Sequence, residues 1–451
     1  MDQPGVSFAR AQDGAYLAYQ VFGEGPIDLV WQDDFLAIVD EWWDSPPDRL
    51  IYESLAEFAR VIVHDRRGIG SSSREGGPAN LETRVSDTLA VMDAVGAERP
   101  VVGGLLEGGA SLALLAATHP DRVRSLVWVR PVPRAAAAPD YPWGASPEYV
   151  ELDQALTKEW GTEAYARGFM ELNADAMEGP WSTERYVSHL ARLTRRTCTP
   201  EVAEQLNRIW YETDIRGILP SIQVPTLLIV DQEGSEGPYM QLGGIGAHVA
   251  SLMPHARVEP YVPMDEAGVA TRAMQDSIRR FVGAERRPGA LDSVLATVLF
   301  TDIVDSTKRS AELGDRDWSV VRRRHDDIVR AELARHRGRE VKTMGDGFLA
   351  TFEGPARGVH CARAIAEEIR PLGIEVRAGL HTGEIDLEGD DIAGIAVAIG
   401  ARIGAMAGPS EVWVSRTVKD LTAGSGLTFV DAGEHELKGV PDRWHLYRVI
   451  A

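Results

Sequence analysis

The sequence predicts an α/β domain followed by a smaller α+β domain, and three observations carry that prediction. Short apolar strands alternate with helical segments from about residue 15 to 130 and resume near residue 224. Between about 134 and 222 the strands stop and the spacing of apolar residues is helical. Beyond the polar, Gly/Pro-bearing stretch GAERRPGALD (283–292) the texture changes to a long helix, a hairpin, a second helix and a strand. The expected organisation is a first domain over 1–285 with a helical cap at about 134–222, a linker at 286–292 and a second domain over 293–451.

In the first domain IDLVW (27–31), RVIVH (60–64), PVVGGL (100–105) and SLVWV (125–129) read as buried parallel strands. Helices are expected in NLETRVSDTLAVMDAVG and in GASLALLAATHP, which ends at Pro120. The entry to the cap is Pro-rich, and its tryptophans are scattered. VPTLLIV (224–230) and RVEPYV (257–262) resume the sheet, and TRAMQDSIRRFV closes it with a helix. In the second domain VLATVLFTDIVDST predicts a strand leading through an acidic turn into a helix over 306–337. REVKTMGDGFLATFEG predicts a hairpin, followed by helices over 355–370 and 392–406 around the strand IEVRAGLHTGE.

The 451 residues carry a formal net charge of -21, about -16 of it before residue 290. An acidic surface argues against nucleic acid or an anionic membrane as partner. An anionic substrate must therefore be met by locally placed Lys and Arg. The two cysteines, Cys198 and Cys361, read as buried or incidental thiols of a reducing compartment. The opening MDQPGVSFAR lacks a basic, then apolar, leader pattern, and no stretch approaches the roughly 20 apolar residues of a membrane span. A cytoplasmic protein is expected.

The chemistry is concentrated in the second domain. Asp302 ends an apolar strand in LFTDIVDST and Asp346 sits at the hairpin tip of KTMGDGF. Carboxylates at the ends of adjacent strands can share divalent ions, although an aspartate at a turn is also common for structural reasons alone.

The motifs FTDIVDST, VKTMGDG, RAGLHTGE, GDDIAGIAVAIGARI and ELKGV follow one another in this order over residues 300–440. Together they resemble the catalytic domain of class III nucleotide cyclases, a ferredoxin-like α+β fold. The resemblance implies that Asp302 and Asp346, with the carbonyl of Ile303, bind two divalent cations, Mg²⁺ or Mn²⁺. It implies that Lys342 and Asp391 read the purine, and that this pair selects adenine. Lys can donate to adenine N1 and Asp can accept from its 6-amino group, a pattern that guanine inverts. Arg402 matches a transition-state residue, and Arg377 and Lys438 match phosphate-binding positions. One departure is Ala398, where the family pattern places an asparagine or another polar residue. The implied activity is conversion of ATP to 3′,5′-cyclic AMP and pyrophosphate at sites shared across a homodimer.

Residues 15–285 resemble the α/β-hydrolase fold through RVIVHDRRGIGSSS and GLLEGGASLALLAATHPDRVRSLVWV. The framework is kept and the triad is not. Leu106 stands at the nucleophile's position in Gly104-Leu105-Leu106-Glu107-Gly108, where a hydrolase has a hydroxyl. The acid's position falls at Gly234, beside Glu233, and the histidine's at Glu266. Asp33 and Asp34 replace the glycines of the loop after the first strand. His248 and His255 read as structural, Ser111 lies too far into its helix to replace the nucleophile, and Ser71–Ser73 read as turn residues. The expectation is a regulatory or ligand-sensing module whose pocket, with Leu106 on its floor, takes a small apolar ligand. The alternatives are a weak or inactive cyclase serving as a binding or scaffold protein, and a residual α/β-hydrolase.

Overall fold

Apolar strands spaced by helices bury both faces of a sheet, and the first half of the chain does so. The computed structural model describes residues 3–33, 36, 38–44, 46–75, 77–172, 184–232, 240–262, 269–284, 293–388 and 391–450. The chain divides into two units, Met1–Ala290 and Leu291–Ala451.

In the N-terminal unit β1 (Ser7–Arg10) and β2 (Tyr16–Phe22) form an antiparallel hairpin. Strand β3 (Ile27–Gln32) is followed by α1 (Pro46–Ala56) and β4 (Ala59–His64), which lies antiparallel to β2 and parallel to β3. Then come α2 (Leu81–Val95), β5 (Val101–Leu105), α3 (Gly108–Thr118) and β6 (Ser125–Val129). After the cap helices α4 (Pro147–Thr157), α5 (Glu163–Leu172), α6 (Glu184–Thr197) and α7 (Pro200–Glu212), the sheet resumes with β7 (Thr226–Val230), α8 (Leu242–Leu252), β8 (Arg257–Pro260) and α9 (Val269–Ala284). The strand order is β1-β2-β4-β3-β5-β6-β7-β8, parallel from β4 to β8. Every residue of β6 is buried, as a central parallel strand covered on both faces requires. Helix α2 starts where Asn80 accepts from the Thr83 N–H and ends at Gly96 in the left-handed region. The predicted strands and helices are present. The hairpin β1–β2 lies ahead of the first predicted strand, its faces alternating between exposed Phe8 and Tyr16 and buried Ala9 and Leu17.

In the C-terminal unit β9 (Ser293–Ile303), α10 (Ser306–Arg335), β10 (Arg339–Met344), β11 (Gly347–Phe352), α11 (Pro355–Glu368) and β12 (Val376–Glu388) follow in turn. Their spatial order, β10-β11-β9-β12, is that of a ferredoxin-like β-α-β-β-α-β unit. The short β13 (Asp391–Ala393) pairs with β12; α12 (Ile395–Met406), β14 (Val412–Ser415), α13 (Arg416–Leu421), β15 (Phe429–Glu436) and β16 (Arg443–Val449) complete the unit. One sheet face packs α10, α11 and α13 residues such as Val329, Val359 and Val418; the other packs Ala396 of α12 against Val298 and Phe300. Two predicted helices differ in detail. Gly314, with φ +76° and ψ 159°, interrupts the long helix, and residues 391–393 pair as β13, so α12 begins only after Gly394.

Candidate active site

The antiparallel register places the predicted carboxylates. Phe348 of β11 lies opposite Thr301 of β9, so each further step toward the hairpin turn brings Gly347 and then Asp346 alongside Asp302 and Ile303. Gly345 (φ +74°) and Asp346 make the two-residue turn between β10 and β11. At Gly347 a Cβ would lie 2.4 Å from the Thr301 carbonyl oxygen, so only glycine allows this approach. The Asp346 Oδ2 atom is buried and finds no hydrogen-bond partner. An orphaned carboxylate oxygen beside a second carboxylate fits a cation site. Among the described residues no group of three or more His, Cys, Asp or Glu gathers here. Two carboxylates are what Mg²⁺ commonly takes from a protein when phosphate oxygens complete its shell.

Arg377 of β12 is the register partner of Asp302 and donates to its Oδ2 from Nε at 2.9 Å and from Nη2 at 2.5 Å. The arginine expected on a phosphate thus rests on a predicted cation ligand, a contact that the spacing of motifs did not reveal.

Lys342 of β10 and Asp391 of β13 meet directly, Nζ lying 2.7 and 2.6 Å from the two carboxylate oxygens. Both side chains are close to half exposed, so they remain open to a ligand. The Lys342 ammonium, helped by the Ile392 N–H, holds the Asp391 carboxyl below its ordinary range. Arg402 of α12 is exposed and donates from Nε to the Lys438 carbonyl at 3.0 Å, bringing those two positions together. Ala398 lies one turn earlier, exposed on the same helix face. The predicted residues are therefore assembled as a carboxylate group, a lysine–aspartate pair and an arginine–lysine pair.

The N-terminal unit keeps the elbow geometry without its hydroxyl. Leu106 sits between β5 and α3 at φ +51°, its N–H donating to the Val129 carbonyl and its own carbonyl accepting from Trp128 Nε1. A Cβ at Gly108 would lie 2.3 Å from the Gln32 carbonyl oxygen, and one at Gly109 would meet the Trp128 indole at 2.1 Å. The glycines are required by the turn, and a leucine is held in a left-handed conformation that costs a non-glycine residue about 1 kcal/mol.

The next residue, Glu107, is buried between two buried arginines. Arg66 Nη1 and Arg84 Nη1 each donate to one of its oxygens at 2.5 Å. Burial opposes ionisation of Glu107, but the two guanidiniums outweigh it and bring its carboxyl down to about 2. Arg66 also donates to the Asp33 carbonyl, tying the loop after β3 to the elbow. Beside it His64, Gln32, Thr88 and Ser111 form a buried network. Burial pushes the His64 imidazole down to about 4. Its neutral ring accepts from Gln32 Nε2, and Gln32 Oε1 accepts from Ser111. Of these residues the sequence singled out only Ser111, as no substitute nucleophile, and Glu107, as part of the elbow; Arg66 lies inside the quoted RVIVHDRRGIGSSS, but nothing local indicates its partner. Among the described residues, cavities of ≈ 20 Å³ near Trp42, Tyr52 and Arg66 and of ≈ 10 Å³ near Arg84 and Trp210 flank the elbow. Leu106 lines neither, and volumes of this size hold about one water molecule. Half-buried His248 packs on Tyr141 and Trp143, and His255 is exposed. Asp34, Glu233, Gly234, Glu266 and the linker 286–292 lie outside the described residues.

Comparison with known proteins agrees with these two descriptions. Residues 35–259 match the family model of the alpha/beta hydrolase fold. A bromoperoxidase from Bacillus anthracis superposes with a TM-score of 0.52 at 20% identity, over 62% of this chain and 100% of its own; this likeness is one of fold alone. Residues 291–451 match the adenylate and guanylate cyclase catalytic domain model, and this unit is a class III nucleotide cyclase domain. The Rhizobium meliloti protein named "Putative adenylate cyclase 3" is 28% identical over 162 residues, 34% of this chain and 28% of that protein's length. The Azorhizobium caulinodans protein named "Putative carbamate hydrolase RutD" is 29% identical over 217 residues, 46% of this chain and 74% of its own. The match to the first of these relatives thus spans little more than a quarter of its length. No described helix is long and apolar enough to cross a membrane.

Proposed function

We propose that the C-terminal unit converts ATP to 3′,5′-cyclic AMP and pyrophosphate. The observation that carries this reading is the Lys342–Asp391 pair, a donor and an acceptor set side by side. Lys342 donates to adenine N1 and Asp391 accepts from the 6-amino group, fixing the base and with it the ribose. Asp302, Asp346 and the Ile303 carbonyl hold two divalent cations, Mg²⁺ or Mn²⁺, which when bound supply charge neutralisation and activation of the attacking hydroxyl. Arg377 and Lys438 bind phosphate oxygens, and Arg402 faces the charge that develops as the bond to pyrophosphate breaks. The ribose 3′-oxygen bonds to the α-phosphorus and pyrophosphate leaves. The site is shared in a homodimer: the cation ligands come from one chain, and Lys342, Asp391 and Arg402 from the other.

The N-terminal unit acts in this reading as a non-hydrolytic regulatory module. Leu106 at the elbow supports the loss of acyl transfer, and the Arg66–Glu107–Arg84 cluster supports a fold kept for stability and shape. In this reading its input is a small apolar ligand taken up between sheet and cap.

The test is an assay of the purified chain with ATP or GTP and Mn²⁺ or Mg²⁺, following cyclic nucleotide, with Asp302→Ala as control. Cyclic AMP lost in the control supports the proposal; no product with any metal overturns it. Mixing Asp302→Ala with Lys342→Ala chains restores activity if the site is shared, and restores none if each chain works alone.

A further inference from the structure

We propose that Arg377 is a built-in counter-ion of the cation site, which must leave Asp302 before a metal ion can use that carboxylate and before the guanidinium can reach a phosphate. This rests on the reading of Asp302 and Asp346 as cation ligands. Three observations carry it. Asp302 and Arg377 are directly opposite across β9 and β12, so the pairing is fixed by register. Both guanidinium contacts fall on one atom, Asp302 Oδ2, while Asp346 Oδ2 stays buried and unpartnered. The site is thus divided into a neutralised carboxylate and an unsatisfied one. The pair is also exchangeable: the side chains are 33% and 40% exposed, and Arg377 has a further donor, Nη1, on the Ala405 carbonyl at 3.3 Å. An ion pair this open is weak enough to be displaced.

A guanidinium on Asp302 repels a divalent ion arriving at the same carboxylate, so metal alone binds weakly. A triphosphate offers Arg377 another anion, and its departure frees Asp302. Metal and nucleotide binding are then coupled through one side chain, and the coupling acts equally in both directions. A neighbouring carboxylate, Glu375, accepts instead from Ser410.

The experiment measures Mn²⁺ binding to the full chain by electron paramagnetic resonance without nucleotide, for wild type, Arg377→Gln, Arg377→Lys, Asp302→Asn and Asp346→Asn. Arg377→Gln should bind Mn²⁺ roughly tenfold more tightly than wild type, and Arg377→Lys, which keeps the charge, within about threefold of it. A second readout avoids reliance on one variant: binding of a 2′-labelled fluorescent 3′-deoxy-ATP in EDTA. Asp302→Asn frees Arg377 and should tighten this metal-free binding several-fold, and the double variant with Arg377→Gln should lose most of that gain. Wild-type Mn²⁺ affinity in Arg377→Gln, or an undiminished gain in the double variant, overturns the inference while the cation site stands. Mn²⁺ binding that neither Asp302→Asn nor Asp346→Asn weakens overturns the cation site itself.

Discussion

Lys342 and Asp391, 49 residues apart in sequence, meet through contacts of 2.7 and 2.6 Å at the junction of β10 and β13. Each thereby presets the other: the ammonium keeps the carboxylate charged, and the carboxylate orients the ammonium. Guanine carries a donor at N1 and an acceptor at position 6, so it meets a donor and an acceptor in the wrong order. Lys342→Glu sets two carboxylates against each other and removes the donor to adenine. ATP turnover should fall roughly 10²-fold or more, with the ATP:GTP ratio of kcat/KM moving toward GTP. An unchanged ratio would show that the pair does not read the base.

The helix α12 supports a second prediction. Ala398 and Arg402 are exposed one turn apart, and the methyl of Ala398 offers no hydrogen bond to a developing charge. One such donor is typically worth 10²–10³ in rate. Ala398→Asn should raise kcat at least about tenfold with little change in the KM for ATP. A kcat that does not rise would mean that another group already serves this position.

Both fold classes were legible because burial patterns repeat at the strand and helix periods, and the carboxylate positions because Asp302 lies near the end of an apolar strand and Asp346 at the tip of a hairpin. Contacts set by register across the sheet were not legible. Arg377 reaches Asp302 only because β12 runs antiparallel to β9, and Glu107 reaches Arg66 and Arg84 across 41 and 23 residues. Such partners share no local spacing, so a sequence shows the charges but not which of them are paired. The elbow was the opposite case, since its glycines declared the turn and Leu106 declared the missing hydroxyl.

The buried network beside the elbow gives a pH prediction with opposing terms. Burial lowers the His64 imidazole to about 4, so its contribution to stability is present above its ordinary range and is lost as pH falls toward 4. Burial raises the Asp65 carboxyl to about 7, against the pull of the Ser71 and Val39 N–H groups that it accepts from. Its contribution has the other sign, fully present at low pH and lost as pH rises through 7. The two offset each other between about pH 4 and 7 and leave the wild-type curve shallow. His64→Gln removes the first and uncovers the second. Relative to wild type, in which the Asp65 contribution is the same, this variant should gain thermal stability as pH falls from 7.5 to 5, by up to about 2 kcal/mol. Parallel melting curves for the two proteins would count against a neutral, buried His64.

The elbow itself yields the last prediction. Leu106→Ser places a hydroxyl at φ +51°, where the backbone already holds the turn of a hydrolase nucleophile. Geometry is only one requirement. A serine hydroxyl is a weak nucleophile at its own pKa and needs a base within hydrogen-bond reach. The resemblance read from the sequence expects Gly234 and Glu266 at the acid and base positions, and the buried His64 already accepts from Gln32. The residue after the elbow, Glu107, is held between two guanidiniums that keep its carboxyl low, so it is a poor base for a serine. Leu106→Ser should therefore hydrolyse p-nitrophenyl acetate no faster than wild type, while its melting temperature shifts by only a few degrees, because the half-buried side chain gives up some apolar contact while the left-handed strain of the turn is the same for serine as for leucine. Steady-state release of p-nitrophenol above the wild-type rate would show that a base is present after all, and would return the N-terminal unit to the hydrolases.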